Sequence, residues 1–162
     1  MNLRKLFSLQ KSIDTHMQIS YDLVGKSFPT EKILNLQVNI ANLAAETGCY
    51  KYWEVKSSEN KNELLDKYNE CLCSILSIGL DKDFSDIDDI SFTPLNTDIT
   101  NQFINLSIDI NDFIVCSSKD HYSTLFEDFL SLGASFHFTE DEIEYVYEKK
   151  FKFKGNLTIV LN

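Results

Sequence analysis

The chain has 162 residues, 43% apolar and 25% charged, with only 5 Gly and 2 Pro. That suits one domain, residues 1–162, around a single core, and it favours long helices over a many-turned β fold. A formal net charge of −10 with one arginine, Arg4, argues against a phosphate-tracking surface and so against nucleic-acid binding.

In chain order, the first helix is predicted from about Leu3 to Val24, with Leu6, Leu9, Ile13 and Met17 on one face. The stretch GKSFPTEK breaks it, and Thr30 is the expected N-cap of a second helix, Glu31 to Thr47, closed by Gly48. WEVKSSENKN reads as a loop. A third helix follows from about Asn60 to Ile78, ending at Gly79. The segment 81–98 is acidic and poorly periodic, and it reads as a variable loop or insert. Two more helices are predicted, from Ile99 to Cys116 and from Lys119 to Leu132. Thr139 then caps a sixth, EDEIEYVYEKK, acidic in its first turn and basic in its last, as the helix dipole prefers. The tail FKFKGNLTIVLN alternates like a short strand or extended arm. The fold class is therefore all-α: a bundle of five to six helices with a short extended C-terminal tail. No internal repeat or low-complexity tract stands out.

No segment approaches the ~20 apolar residues of a membrane span. The opening MNLRKLFSLQKSID lacks an apolar run of signal-peptide length, so a cytoplasmic protein is expected. Cys49, Cys71, Cys73 and Cys116 form no C-x-x-C pair, and His16, His121 and His137 stand far apart. Reduced thiols and no zinc site are expected.

The second helix carries one polar stripe, Asn35, Asn39, Asn42 and Glu46, within about 40° on a helical wheel. Apolar residues flank it on both sides: Ile33, Leu36, Ile40 and Leu43, then Leu34, Val38, Ala41 and Ala45. A helix apolar over most of its girth is expected to be buried in a bundle, with its stripe facing either a thin solvent strip or a pocket. Asn costs up to ~0.7 kcal/mol per helical position relative to Ala, a penalty that a free surface does not need. The third helix carries a facing stripe, Glu63, Lys67, Glu70, Ser74 and Ser77. Bundles that hold Mg²⁺ present carboxylates at i and i+3 from two such helices, because those side chains converge and supply hard oxygen ligands. Here the spacing is right and the chemistry is not. Asn39 and Asn42 are neutral, Lys67 is cationic, and only Glu70 is an acid.

These stretches resemble the dimeric all-α dUTPase family, found in bacteria, phages and trypanosomatid parasites. NLAAETGCYKYW is similar to the family pattern E-L-A-N-E-T-R-C-F-K-Y-W, and DKYNECLCSILSIGL to E-E-Y-A-D-G-L-H-F-L-L-S-L-G-L. LFSLQKSIDTHM resembles the family's opening helix, and YSTLFEDFLSLGASFHFTEDEIEYVYEKK its C-terminal region. The resemblance covers most of the chain except roughly 81–118. It implies an all-α homodimer and conversion of dUTP to dUMP and pyrophosphate, with a Mg²⁺ cluster on E-x-x-E and E-x-x-D that aligns the triphosphate and activates water.

Carried over by position, E-x-x-E falls on Asn39 and Asn42, E-x-x-D on Lys67 and Glu70, and the family's His on Cys73. The C-terminal K-N-x-x-N-x-x-R-Q falls on Lys149, Lys150, Phe153, Asn156 and Leu157, where only Lys149 matches. Gln10, Asp14, Glu46, Lys51, Tyr52, Trp53 and Lys149 remain as a remnant nucleotide pocket or as packing residues. The expectation is a dUTPase-like protein that has lost Mg²⁺-dependent hydrolysis, has no catalytic residue or cofactor, and acts by binding. A regulatory protein and a uracil nucleotide are its candidate partners. The alternative is an active pyrophosphohydrolase whose rearranged Mg²⁺ site uses Glu46, Glu63, Asp66 and Glu70, with Glu70 and Glu46 the foremost candidate ligands.

Overall fold

A computed structural model describes residues 1–55, 60–87 and 90–160, with side chains as far as 150. It contains six helices: α1 (Leu3–Ser20), α2 (Pro29–Thr47), α3 (Lys61–Asp81), α4 (Ile99–Val115), α5 (Lys119–Ser135) and α6 (Glu140–Val160). Residues 56–59 of the expected loop, 88–89 of the acidic segment, 161–162 of the tail and the side chains of Phe153, Asn156 and Leu157 lie outside the described residues.

Local chemistry sets most of the boundaries. Gly48 closes α2 in the left-handed region at φ 58°, as a C-cap glycine does. Asn60, Asp98 and Ser118 cap α3, α4 and α5 through their side chains. At α6, Thr139 Oγ1 accepts from Glu142 N at 3.1 Å and Glu142 Oε2 accepts from Thr139 N at 2.9 Å, a reciprocal capping box. Four expectations need correction. α1 stops at Ser20, because Asp22 and Gly25 turn the chain with positive φ. α2 starts at Pro29, whose fixed φ suits the first turn, so Thr30 lies inside the helix and is not its cap. α3 passes through Gly79 to Asp81. The backbone of 151–160 continues α6 instead of forming an extended arm.

α3 is the central helix, buried along most of its length from Leu64 to Gly79. It packs on α1, α2, α5 and α6, while α4 lies on α5 and α2. The segment after α3 is anchored by apolar side chains: Ile87 is buried, and Phe84, Ile90 and Phe92 pack on the core. The flank Leu34, Val38, Ala41 and Ala45, expected inside the bundle, is exposed; Leu34 keeps 60% of its surface in solvent. One face of α2 covers α3, and among the described residues this second apolar face stays open to solvent.

The structure also contains a repeat that the residues alone did not suggest. α3 and α5 both read Tyr, ten residues, Gly, four residues, Phe: Tyr68–Gly79–Phe84 and Tyr122–Gly133–Phe138. The helices run antiparallel and exchange their tyrosines. Tyr68 Oη donates to Phe129 O at 3.3 Å, and Tyr122 Oη donates to Ile75 O at 2.9 Å. Each accepting carbonyl lies four residues before the glycine that makes room for the ring. Both helices end in the same Schellman cap, with Asp83 and His137 at φ 58° and 59°, Phe84 N donating to Gly79 O, and Phe138 N to Gly133 O. Each terminal Phe then packs on the other helix's Tyr, with centroids 5.6 and 5.5 Å apart. α2 and α4 extend the correspondence. Buried Leu36, Ile40 and Leu43 match buried Leu106, Ile110 and Phe113; exposed Leu34 and Val38 match exposed Ile104 and Ile108. The α2–α3 and α4–α5 hairpins are two copies of one unit about an approximate twofold.

Candidate functional site

A cleft of ≈ 800 Å³ opens between α2, α3 and α6, lined in part by Asn35, Asn39, Asp66, Glu70, Ser74 and Lys149. Its floor is a set of amide and hydroxyl groups. Asn35 Nδ2 and Asn39 Nδ2 both donate to Ser74 Oγ, at 3.0 and 2.9 Å. Ser74 Oγ donates in turn to Glu70 O at 3.2 Å, and Asn39 Nδ2 reaches the same carbonyl at 3.4 Å. The polar stripe of α2 therefore stitches α2 to α3 where it enters the cleft. Asn42 is exposed and Glu46 half-buried, and neither lines the cleft.

Glu70 is held by two cations. Lys67 Nζ lies 3.3 Å from Glu70 Oε2, and Lys150 Nζ lies 3.8 Å from Glu70 Oε1. Lys150 also donates to Asp66 O at 2.8 Å and lies 3.9 Å from Asp66 Oδ1. Mg²⁺ requires hard, preferably anionic, oxygens in near-octahedral array. At the four family positions this site offers one carboxylate, and each of its oxygens already faces an ammonium. A dication entering there would meet two like charges. Lys67 and Lys150 thus occupy the electrostatic role of a metal, and the donor set does not fit Mg²⁺.

Gln10 and Asp14 form a separate buried network. Gln10 Nε2 donates to Asp14 Oδ1 at 2.6 Å, and the Tyr147 hydroxyl donates to Gln10 Oε1. Ser77 Oγ donates to Asp14 Oδ2 at 2.7 Å, while Lys32, 3.9 Å from that oxygen, pairs with Asp81 at 2.7 Å. Tyr147 also contacts Cys73, which lines the cleft, and burial pushes its hydroxyl far above the ordinary tyrosine range. Lys51 pairs with Glu54 at 3.2 Å. Tyr52 and Trp53 stack edge to face at 5.0 Å on the exposed loop after α2. Of the seven candidate pocket residues, Lys149 alone lines the cleft; Gln10 and Asp14 share the buried network, and Lys51, Tyr52 and Trp53 stay on the loop.

Lys150 pairs with Glu70, and Tyr147 ties Gln10 to Cys73; the family pattern falls on Lys150 only as a mismatch and does not reach Tyr147. Ile143, Tyr147 and Lys150 stand at i, i+4 and i+7, one face of α6, and that period was the available signal.

A family model described as dUTPase matches residues 2–156, nearly the whole chain. No curated protein matches the chain.

Proposed function

The chain belongs to the all-α dUTPase family, and from that premise we propose that it is a non-hydrolysing member that acts by binding, as a regulatory or interaction protein. One observation carries this reading: the single acid left at the family's metal positions, Glu70, is clasped by Lys67 and Lys150. Among the described residues the cleft is lined by amides, Lys149 and two acids, Asp66 and Glu70, both facing Lys150, which leaves no free pair of carboxylates to activate water. A uracil nucleotide, if it is the ligand, is then held without metal.

The same reading includes a homodimer and a cytoplasmic setting. The exposed apolar flanks of α2 and α4, Leu34 and Val38 with Ile104 and Ile108, favour a subunit contact. Among the described residues no helix is long and apolar enough to cross a membrane.

The test is a calorimetric titration of MgCl₂ into the protein with dUTP present. No saturable metal heat is expected beyond that of the same titration of MgCl₂ into dUTP without protein. Stoichiometric Mg²⁺ binding would overturn the reading and favour a rearranged, active metal site.

A further inference from the structure

The internal twofold brings a second seam into view. Asn39 of α2 corresponds to Asp109 of α4, Asn42 to Asp112, and Ser74 of α3 to Asp128 of α5. In the first seam Asn39 Nδ2 donates to Ser74 Oγ at 2.9 Å. In the second, the carboxyls of Asp109 and Asp128 face each other across α4 and α5, with Asp109 Oδ2 buried between the helices. Two carboxylates are both acceptors, so such a contact needs a proton on one of them. Among the described residues no donor reaches Asp109 Oδ2, which is buried.

The surrounding charges offer no relief. Asp112 on α4 adds like charge. On α5, Lys119 pairs with Asp86 at 2.8 Å, the His121 ring bonds Cys116 O at 2.8 Å, and the remaining charged residues, Asp120 and Glu127, are acids. On α2, Lys32 is held by Asp81 at 2.7 Å, and Glu31 and Glu46 are acids.

We propose that the α4–α5 seam is a proton-operated clasp: one proton shared between Asp109 and Asp128 holds the two helices together, and its release to solvent loosens the seam. Burial first, and then the charge of Asp128, push the Asp109 carboxyl up to about 7. An unfolded Asp titrates at about 3.9. Between those two values the folded chain holds the extra proton, so this contribution to stability is full at low pH. It declines as pH rises through that window and is gone above neutrality. The clasp acts on the helix that carries exposed Ile104 and Ile108, so acidity would firm the seating of that apolar face.

The test measures thermal midpoints of the full chain from pH 5 to 8.5 for the parent and for Asp128→Asn. An Asn amide donates without a titrating proton. The parent midpoint is expected to fall from pH 5 to about 7 and to level off above it, and the variant to be markedly flatter between pH 5 and 7. Parallel profiles would overturn the clasp. Carbon-13 NMR titration of the parent's aspartate carboxyls decides the matter if the variant does not fold. A midpoint near 7 for the Asp109–Asp128 pair supports the proposal, and midpoints below 5 for both groups refute it.

Discussion

Glu70 pairs with Lys67 at 3.3 Å and with Lys150 at 3.8 Å, and the proposed function gives those two ammonium groups the place of a dication. Restoring the family pattern should reverse that balance. A variant carrying Asn39→Glu, Asn42→Glu, Lys67→Glu and Glu70→Asp would gather four acids, and repulsion should lower its stability in chelator. Mg²⁺ at a hundred times its dissociation constant would then return about 2.7 kcal/mol, read as a rise in thermal midpoint. A midpoint indifferent to Mg²⁺ would show that the cleft no longer has the geometry of a metal site. Tyr147 provides a second residue-scale test. Its hydroxyl serves buried Gln10, so Tyr147→Phe leaves Gln10 Oε1 without that donor. The expected loss in urea unfolding is about 1–3 kcal/mol, and a loss under about 0.5 kcal/mol would contradict a buried network.

At the scale of elements, the paired glycines are the most sensitive positions. A Cβ on Gly79 would sit 2.2 Å from Tyr122 Oη, and one on Gly133 would sit 2.4 Å from Tyr68 Oη. Both rings are fully buried, so neither can swing away. Gly79→Ala and Gly133→Ala should each cost about 1–3 kcal/mol or more by overpacking, and by similar amounts because the two sites are copies. A change below about 0.5 kcal/mol at either, the size of an ordinary surface substitution, would contradict the exchange of tyrosines. The helices themselves were readable from caps and period: Gly48 and Thr139 work as expected. Gly79 was not, because a lone glycine late in a helical pattern reads as a stop. Its reason for being there is a ring from another helix, which no local pattern reveals. The repeat escaped for a related reason. Its shared letters are few, and the loops inside the two hairpins differ in length, so no constant period links all four helices.

For the whole molecule, composition predicted an all-α fold, and of the four positions Asn39, Asn42, Lys67 and Glu70 the structure brings Asn39 and Glu70 to the cleft lining. The third wall was legible only in part: Lys149 was a candidate pocket residue, and Ile143, Tyr147 and Lys150 share one face of α6, but a helical period does not say that Lys150 reaches Glu70 or that Tyr147 bonds Gln10. Burial of the α2 flank was over-read, since apolar residues around a helix do not say whether the cover comes from the same chain. If it comes from a second copy, Leu34→Glu should shift the protein from dimer to monomer in sedimentation equilibrium while leaving the fold intact. A parent that sediments as a monomer, or a variant that remains dimeric, would remove that face from the account. The central claim is that the ammonium-clasped site does not hydrolyse nucleotide. The most direct measurement is pyrophosphate release from dUTP by the purified protein in Mg²⁺, with a chelator control. Release no faster than the protein-free blank is expected. Turnover that the chelator abolishes would contradict it.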